Sequence, residues 1–115
     1  MVVWERARLL TGAIYRTTDG FPRREQFGLA EQMRRAAVSV PSNIAEGSGR
    51  GSDAEYSRFV GYAAASLNEL ECQLVISGDL GFIAGEALGP LLAETERLRA
   101  MLSGLRKALR PRKPK

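Results

Sequence analysis

Apolar residues return every three or four positions along almost the whole chain, in four stretches that each end at glycine or proline. That spacing lines up one side of an α-helix, and no run alternates with the two-residue period of a strand. The first stretch steps through Val3, Ala7, Leu10 and Ile14 and runs out at Thr17-Thr18-Asp19-Gly20. Gly20 is placed for a left-handed cap, and Phe21-Pro22 blocks continuation. The second begins with a helical turn near Pro22, where proline's fixed φ suits a first position, and carries Leu29, Met33, Ala36 or Ala37, Val40 and Ile44. Gly47-Ser48-Gly49-Arg50-Gly51 ends it. The third opens on Ser52-Asp53-Ala54-Glu55, a capping box in which serine and glutamate satisfy each other's orphan amides. It continues through Tyr56, Phe59 or Val60, Ala63, Leu67, Leu70 and Leu74 and stops between Gly78 and Gly81. The fourth uses Leu88, Leu91 or Leu92, Thr95, Leu98, Leu102, Leu105 and Leu109, and is closed by Pro111 and Pro114.

Four helices joined by short loops predict an all-α fold, an antiparallel up-down-up-down four-helix bundle with crossings of about 20°. Residues 1–110 are expected to form the bundle and 111–115 a basic disordered tail. At 115 residues the chain is long enough to bury a core without disulfides or metal. Pro41 falls inside the second helix, where proline removes one hydrogen bond and crowds the carbonyl four residues back, that of Ala37. A kink in helix 2 at Pro41 is expected, with Ser39, Ser42 and Asn43 near enough to bond the freed carbonyl.

Missing residue types narrow the function. The chain has no histidine, which removes the commonest general base and metal ligand and every Ser-His or Cys-His pair. Its one cysteine, Cys72, builds neither a disulfide framework nor a zinc site and reads as a small core side chain. Glu69 and Glu71 are two apart on a helix and point in different directions, so with Glu55 and Asp79 they make a poor metal cluster. Gly47 to Ser52 lacks the preceding strand and the Gly-Lys-Ser/Thr ending of phosphate loops. No catalytic residue, cofactor or metal is expected, and the absence of an export signal and of a membrane-spanning run suggests a cytoplasmic setting.

Charge is placed unevenly. Six of the 17 basic residues lie beyond Gly104 with no acid among them, leaving 11 bases against 13 acids in the rest. Arg106, Lys107, Arg110, Arg112, Lys113 and Lys115, with Arg23, Arg24 and Arg50, are the candidates for nucleic-acid contact. Arg6, Arg8 and Arg16 add charge elsewhere. No aromatic-rich platform accompanies them, so phosphate rather than base recognition is expected, with a steep salt dependence. A solubilising tail on a protein-interaction scaffold is the rival reading. Small residues all round Gly61-Tyr62-Ala63-Ala64-Ala65-Ser66 favour self-association, with the third helix buried between subunits.

The most distinctive stretch is Arg34-Arg35-Ala36-Ala37-Val38-Ser39-Val40-Pro41-Ser42-Asn43-Ile44-Ala45-Glu46-Gly47. If helices 2 and 3 mirror about residue 50, Arg34 or Arg35 comes within a turn of Glu69 and is expected to pair with it. Together with Tyr15, Phe21-Pro22, Glu25, Gly28-Leu29, Gln32, Gly49-Arg50 and the run from Ser66 to Leu74, this stretch resembles the bacterial four-helix bundle protein family. Members of that family are encoded in intervening sequences of large-subunit ribosomal RNA genes and are similar to the accessory variability determinant proteins of diversity-generating retroelements. The resemblance covers roughly residues 7 to 102. It implies a four-helix bundle, a homo-oligomer that is a pentamer by family expectation, and possible partners in RNA, DNA, a reverse transcriptase or another protein. For Arg34, Arg35, Pro41, Asn43, Glu46, Gly47 and Glu69 it implies a structural role.

Overall fold

The helices lie where the apolar stripes do: α1 (Val2–Asp19), α2 (Leu29–Ser48), α3 (Asp53–Asp79) and α4 (Gly85–Ala108), with a 3-10 turn at Arg23–Glu25 before α2. The structure, a computed structural model, describes residues 1–111. Arg112, Lys113 and Lys115, and with them most of the expected tail, lie outside the described residues. Among the described residues there is no strand, and no helix is long and apolar enough to cross a membrane.

The core is built from the faces that the periodicity marks. Val3, Ala7, Leu10 and Ile14 of α1 are all buried, as are Met33, Ala36, Ala37, Val40 and Ile44 of α2 and Val60, Ala63, Leu67, Leu70 and Leu74 of α3. In α4 only Thr95, Leu98 and Leu102 are fully buried, and the flanking leucines pack partly covered against that core. Contacts between neighbours run in opposite order. Met33, Ser39 and Gly47 of α2 meet Ser77, Ser66 and Phe59 of α3, and Gly61, Glu71 and Gly78 of α3 meet Arg106, Arg99 and Leu88 of α4. One end of the bundle therefore gathers the start of α1, the α2–α3 turn and the close of α4, where the Tyr56 hydroxyl donates to Met1 Sδ. The other gathers the 3-10 turn and the α3–α4 loop, where the Phe21 and Phe82 rings lie 5.4 Å apart.

Local chemistry sets the boundaries. Ser52 caps α3 by accepting from the Glu55 amide at 3.2 Å. Gly51 turns the chain at φ +82°, in the left-handed region. Gly20, expected there too, closes α1 at φ −81° with its amide bonded to Thr17, because the chain leaves as a right-handed turn into Phe21. The turn near Pro22 forms as a separate 3-10 segment, and α2 starts only at Leu29.

α2 runs unbroken through Pro41. The Ala37 carbonyl, which proline leaves without its helical donor, faces Thr11 Oγ1 of α1 at 3.1 Å. Neither Ser39, Ser42 nor Asn43 takes that role. Asn43 instead donates to the Ser39 carbonyl at 2.8 Å and to its hydroxyl at 2.9 Å, and Ser39 Oγ meets Ser66 Oγ across the α2–α3 seam at 2.7 Å. Nearer the turn, a methyl on Gly47 would stand 2.7 Å from Phe59 Cβ, so only glycine lets α2 approach α3 so closely there. A second proline, Pro90, sits inside α4.

Candidate functional site

The last two turns of α4 carry Arg106, Lys107 and Arg110 beside α3. They line a cleft of about 200 Å³ with Arg99, Leu102, Ser103 and Ala64. From α3 the cleft is lined by the small side chain of Ala64. A methyl on Gly61 would meet the end of the flexible Arg106 side chain, its guanidinium, at 2.9 Å, so that side chain lies close across α3. All three cations are exposed and, among the described residues, none makes an ion pair. The α4 carboxyl end contributes roughly half a negative charge. That favours the cations in place and is small against three full positive charges facing an incoming anion.

Most other arginines are engaged. Arg6 reaches Glu94 at 3.3 Å, Arg35 Glu31 at 3.5 Å, Arg58 Glu55 at 2.9 Å and Arg97 Glu94 at 3.1 Å. Arg50, a sequence candidate for nucleic-acid contact, pairs with Glu46 at 2.7 Å and lies over the Phe59 ring. It sits at the Arg106 end of the bundle. Arg23 and Arg24 are exposed and without an ion pair among the described residues, but they occupy the opposite end. The candidates thus fall into two separate groups.

The expected pairing of Arg34 or Arg35 with Glu69 does not form. Arg34 lies three residues before Ala37 on the side of α2 that faces α1, and its Nε donates to Thr18 Oγ1 at 2.9 Å. Its Nη2 reaches Gln26 Oε1 at 2.9 Å and Asp19 at 3.4 Å, and the guanidinium stands over the Tyr15 ring. Gln26 passes the connection on, its amide donating to the Thr18 and Phe21 carbonyls at 2.9 and 3.1 Å. Arg34 is therefore the brace of the turn between α1 and α2. Arg35 shares a shallow polar groove with Glu69, Gln32, Ser39 and Ser66, yet its ion pair is with Glu31. Among the described residues, Glu69 accepts only from Gln73, at 3.3 Å.

The arginine–carboxylate pair that does join α3 to another helix is Arg99 with Glu71, which sequence reasoning missed. Thr95 also donates to Glu71, and Arg99 reaches Asn68 at 3.0 Å and Glu96 at 2.7 Å. The Arg99 hydrogen bond above all, then its charge and the Thr95 hydroxyl, hold the Glu71 carboxyl below its ordinary range against a burial effect that raises it. Cys72, expected in the core, is exposed, because it shares the outer face of α3 with Tyr62, Ala65 and Ile76.

A family model described as 23S rRNA-intervening sequence protein matches residues 1–104. Among solved structures, a protein of unknown function from the S23 ribosomal protein family of Bacteroides thetaiotaomicron is similar, with a TM-score of 0.85 and 20% sequence identity over 92% of this chain and 96% of that one. At that identity the likeness speaks for the fold. No curated protein sequence matches the chain.

Proposed function

The chain belongs to the 23S rRNA-intervening sequence protein family, and from that footing we propose that it is a non-catalytic helical bundle that binds nucleic acid by its backbone phosphates. The observation that carries this reading is the α3–α4 cleft, where Arg106, Lys107 and Arg110 converge with no ion-pair partner among the described residues while most other arginines are neutralised. Three positive charges beside Ala64 of α3 suit a phosphate, which needs charge and close approach but no base-edge geometry. The partner is RNA or DNA without sequence preference, in a cytoplasmic complex that includes a further protein. Tyr62, Ile76 and Leu80, exposed along and just beyond the outer face of α3, support assembly into a homo-oligomer.

The test is a salt titration of binding to a short duplex, comparing the full chain with the Arg106→Gln/Lys107→Gln/Arg110→Gln variant. Each lost phosphate contact should flatten the log–log salt slope by about 0.9, so a change of about 3 with weaker low-salt binding is expected. Equal slopes and affinities would remove the cleft from the reading.

A protein-interaction scaffold is the second reading, favoured by a groove between α1 and α2 in which Tyr15 and Val38 are exposed beside Glu31 and Arg35. It is distinguished by retention of a protein partner with none of nucleic acid at low salt.

A further inference from the structure

Phe27 is 91% exposed, the most open large apolar side chain in the described protein. A phenylalanine left in water forgoes the gain of burying its ring, and here it is held there by a built loop. Pro22 starts the 3-10 turn, the Glu25 amide bonds the Pro22 carbonyl at 2.8 Å, and the Gly28 amide bonds that of Glu25 at 3.1 Å. The Arg34–Gln26 connection ties the turn to Thr18 and Phe21, while Phe21 is buried against Phe82. Phe27 is thus presented outward just before α2. Among the described residues no other ring lies against it and no cation lies over it, whereas Trp4, Tyr15, Phe21, Phe59 and Tyr62 each have such a neighbour. Arg23 and Arg24 stand exposed four and three residues before it, and the nearest acid in sequence, Glu25, turns back beside Gly28.

We propose that Phe27, Arg23 and Arg24 form a second nucleic-acid contact, in which one unpaired base stacks on the Phe27 ring and the two arginines hold the flanking phosphates. An open aromatic face with adjoining cations is what a single strand needs, since every base has a π-face and every linkage a charge. A duplex keeps its bases stacked on each other and has none to offer. The proposal rests on the nucleic-acid reading but on different residues, at the opposite end of the bundle from Arg106.

The experiment measures binding of a labelled single strand, an abasic strand of the same length and a duplex to the full chain and to two variants. Phe27→Leu keeps an apolar side chain and removes the ring; the variant at Arg106, Lys107 and Arg110 tests the other end. Loss of one stacked base corresponds to a roughly tenfold weakening. Phe27→Leu should therefore weaken single-strand binding about tenfold, leave duplex binding alone and bring the intact strand down to the abasic one. Unchanged single-strand affinity, or equal loss on strand and duplex, overturns the proposal. So does a change in oligomeric state of Phe27→Leu measured by light scattering without nucleic acid, which would assign the ring to an interface between copies. If the α4 variant binds normally while Phe27→Leu does not, the cleft reading fails and this one stands; if the wild-type chain binds no nucleic acid, both fail.

Discussion

The Thr11 hydroxyl of α1 lies 3.1 Å from the Ala37 carbonyl of α2, the one acceptor that Pro41 deprives of its helical donor. The same hydroxyl is 2.9 Å from the Ala7 carbonyl, so its single proton serves both helices. A defect in one helix is thereby met by a side chain of the next. The pairing predicts a coupling. Thr11→Val should cost about 1–2 kcal/mol by stranding the carbonyl. In a Pro41→Ala background, where an amide returns to position 41, the same change should cost about 1 kcal/mol less. Urea melts of the four proteins decide it, and additive effects would show that Thr11 does not serve the proline.

Gly47 and Gly104 are both helical glycines, and their replacement by alanine should have opposite signs. A methyl at Gly47 meets Phe59 Cβ at 2.7 Å, and the resulting shift between α2 and α3 should destabilise by about 1–3 kcal/mol despite better helix propensity. At Gly104 nothing lies within 4 Å, so Gly104→Ala should stabilise by up to about 1 kcal/mol. Thermal melts of the two variants read both signs.

Arg34→Met should loosen the turn before α2 while sparing the hairpin of α2 and α3. Its bonds to Thr18 and Gln26 are hydrogen bonds to neutral groups in a partly covered place, worth about 1–2 kcal/mol together. Faster amide exchange confined to residues 21–28 is the expected result. Exchange rising equally in α3 would contradict the assignment of Arg34 to this turn.

Glu71 gives the stability a pH dependence of known sign. Its carboxyl titrates lower in the folded protein than in the unfolded chain, chiefly through Arg99, so its contribution is complete above the ordinary carboxylate range and disappears as pH falls through the folded value. Both side chains are about one-third exposed, at 34% and 32%, so solvent screening holds the effect to about 1 kcal/mol or less. Glu71→Gln should be less stable than wild type at pH 7 and converge with it in acid. A gap that stays constant down to pH 3 would exclude the mechanism.

The apolar spacing was enough to read the helices and their buried faces, because burial repeats with the helical turn and needs no partner to be specified. Side-chain partners needed a register that spacing does not contain. Ser39 faces Ser66, so the α2–α3 mirror falls between Ser52 and Asp53, not at residue 50. That moves the residues opposite Arg34 and Arg35 by about five positions along α3. Arg34 faces α1, not α3, since its acceptors belong to a turn whose path depends on Gln26. Arg99 is one of three arginines on α4, with Arg97 and Arg106, that periodicity alone does not tell apart. Cys72 was read by residue type, whereas its place on the outer stripe with Tyr62 and Ile76 decides its exposure. The cleft at Arg106 is legible as charge but not as shape, which depends on α3, where Ala64 lines it from one helix away.

Arg24 and Arg110 belong to opposite ends of a bundle whose longest helix has 27 residues, about 40 Å at 1.5 Å per residue. Strand length then becomes a ruler. If both poles bind nucleic acid, a strand that keeps its bases stacked touches one pole at a time below roughly 12 base steps of 3.4 Å, whereas a longer one tethered at the first pole meets the second at high effective concentration. Affinity plotted against length should rise in a step near that span.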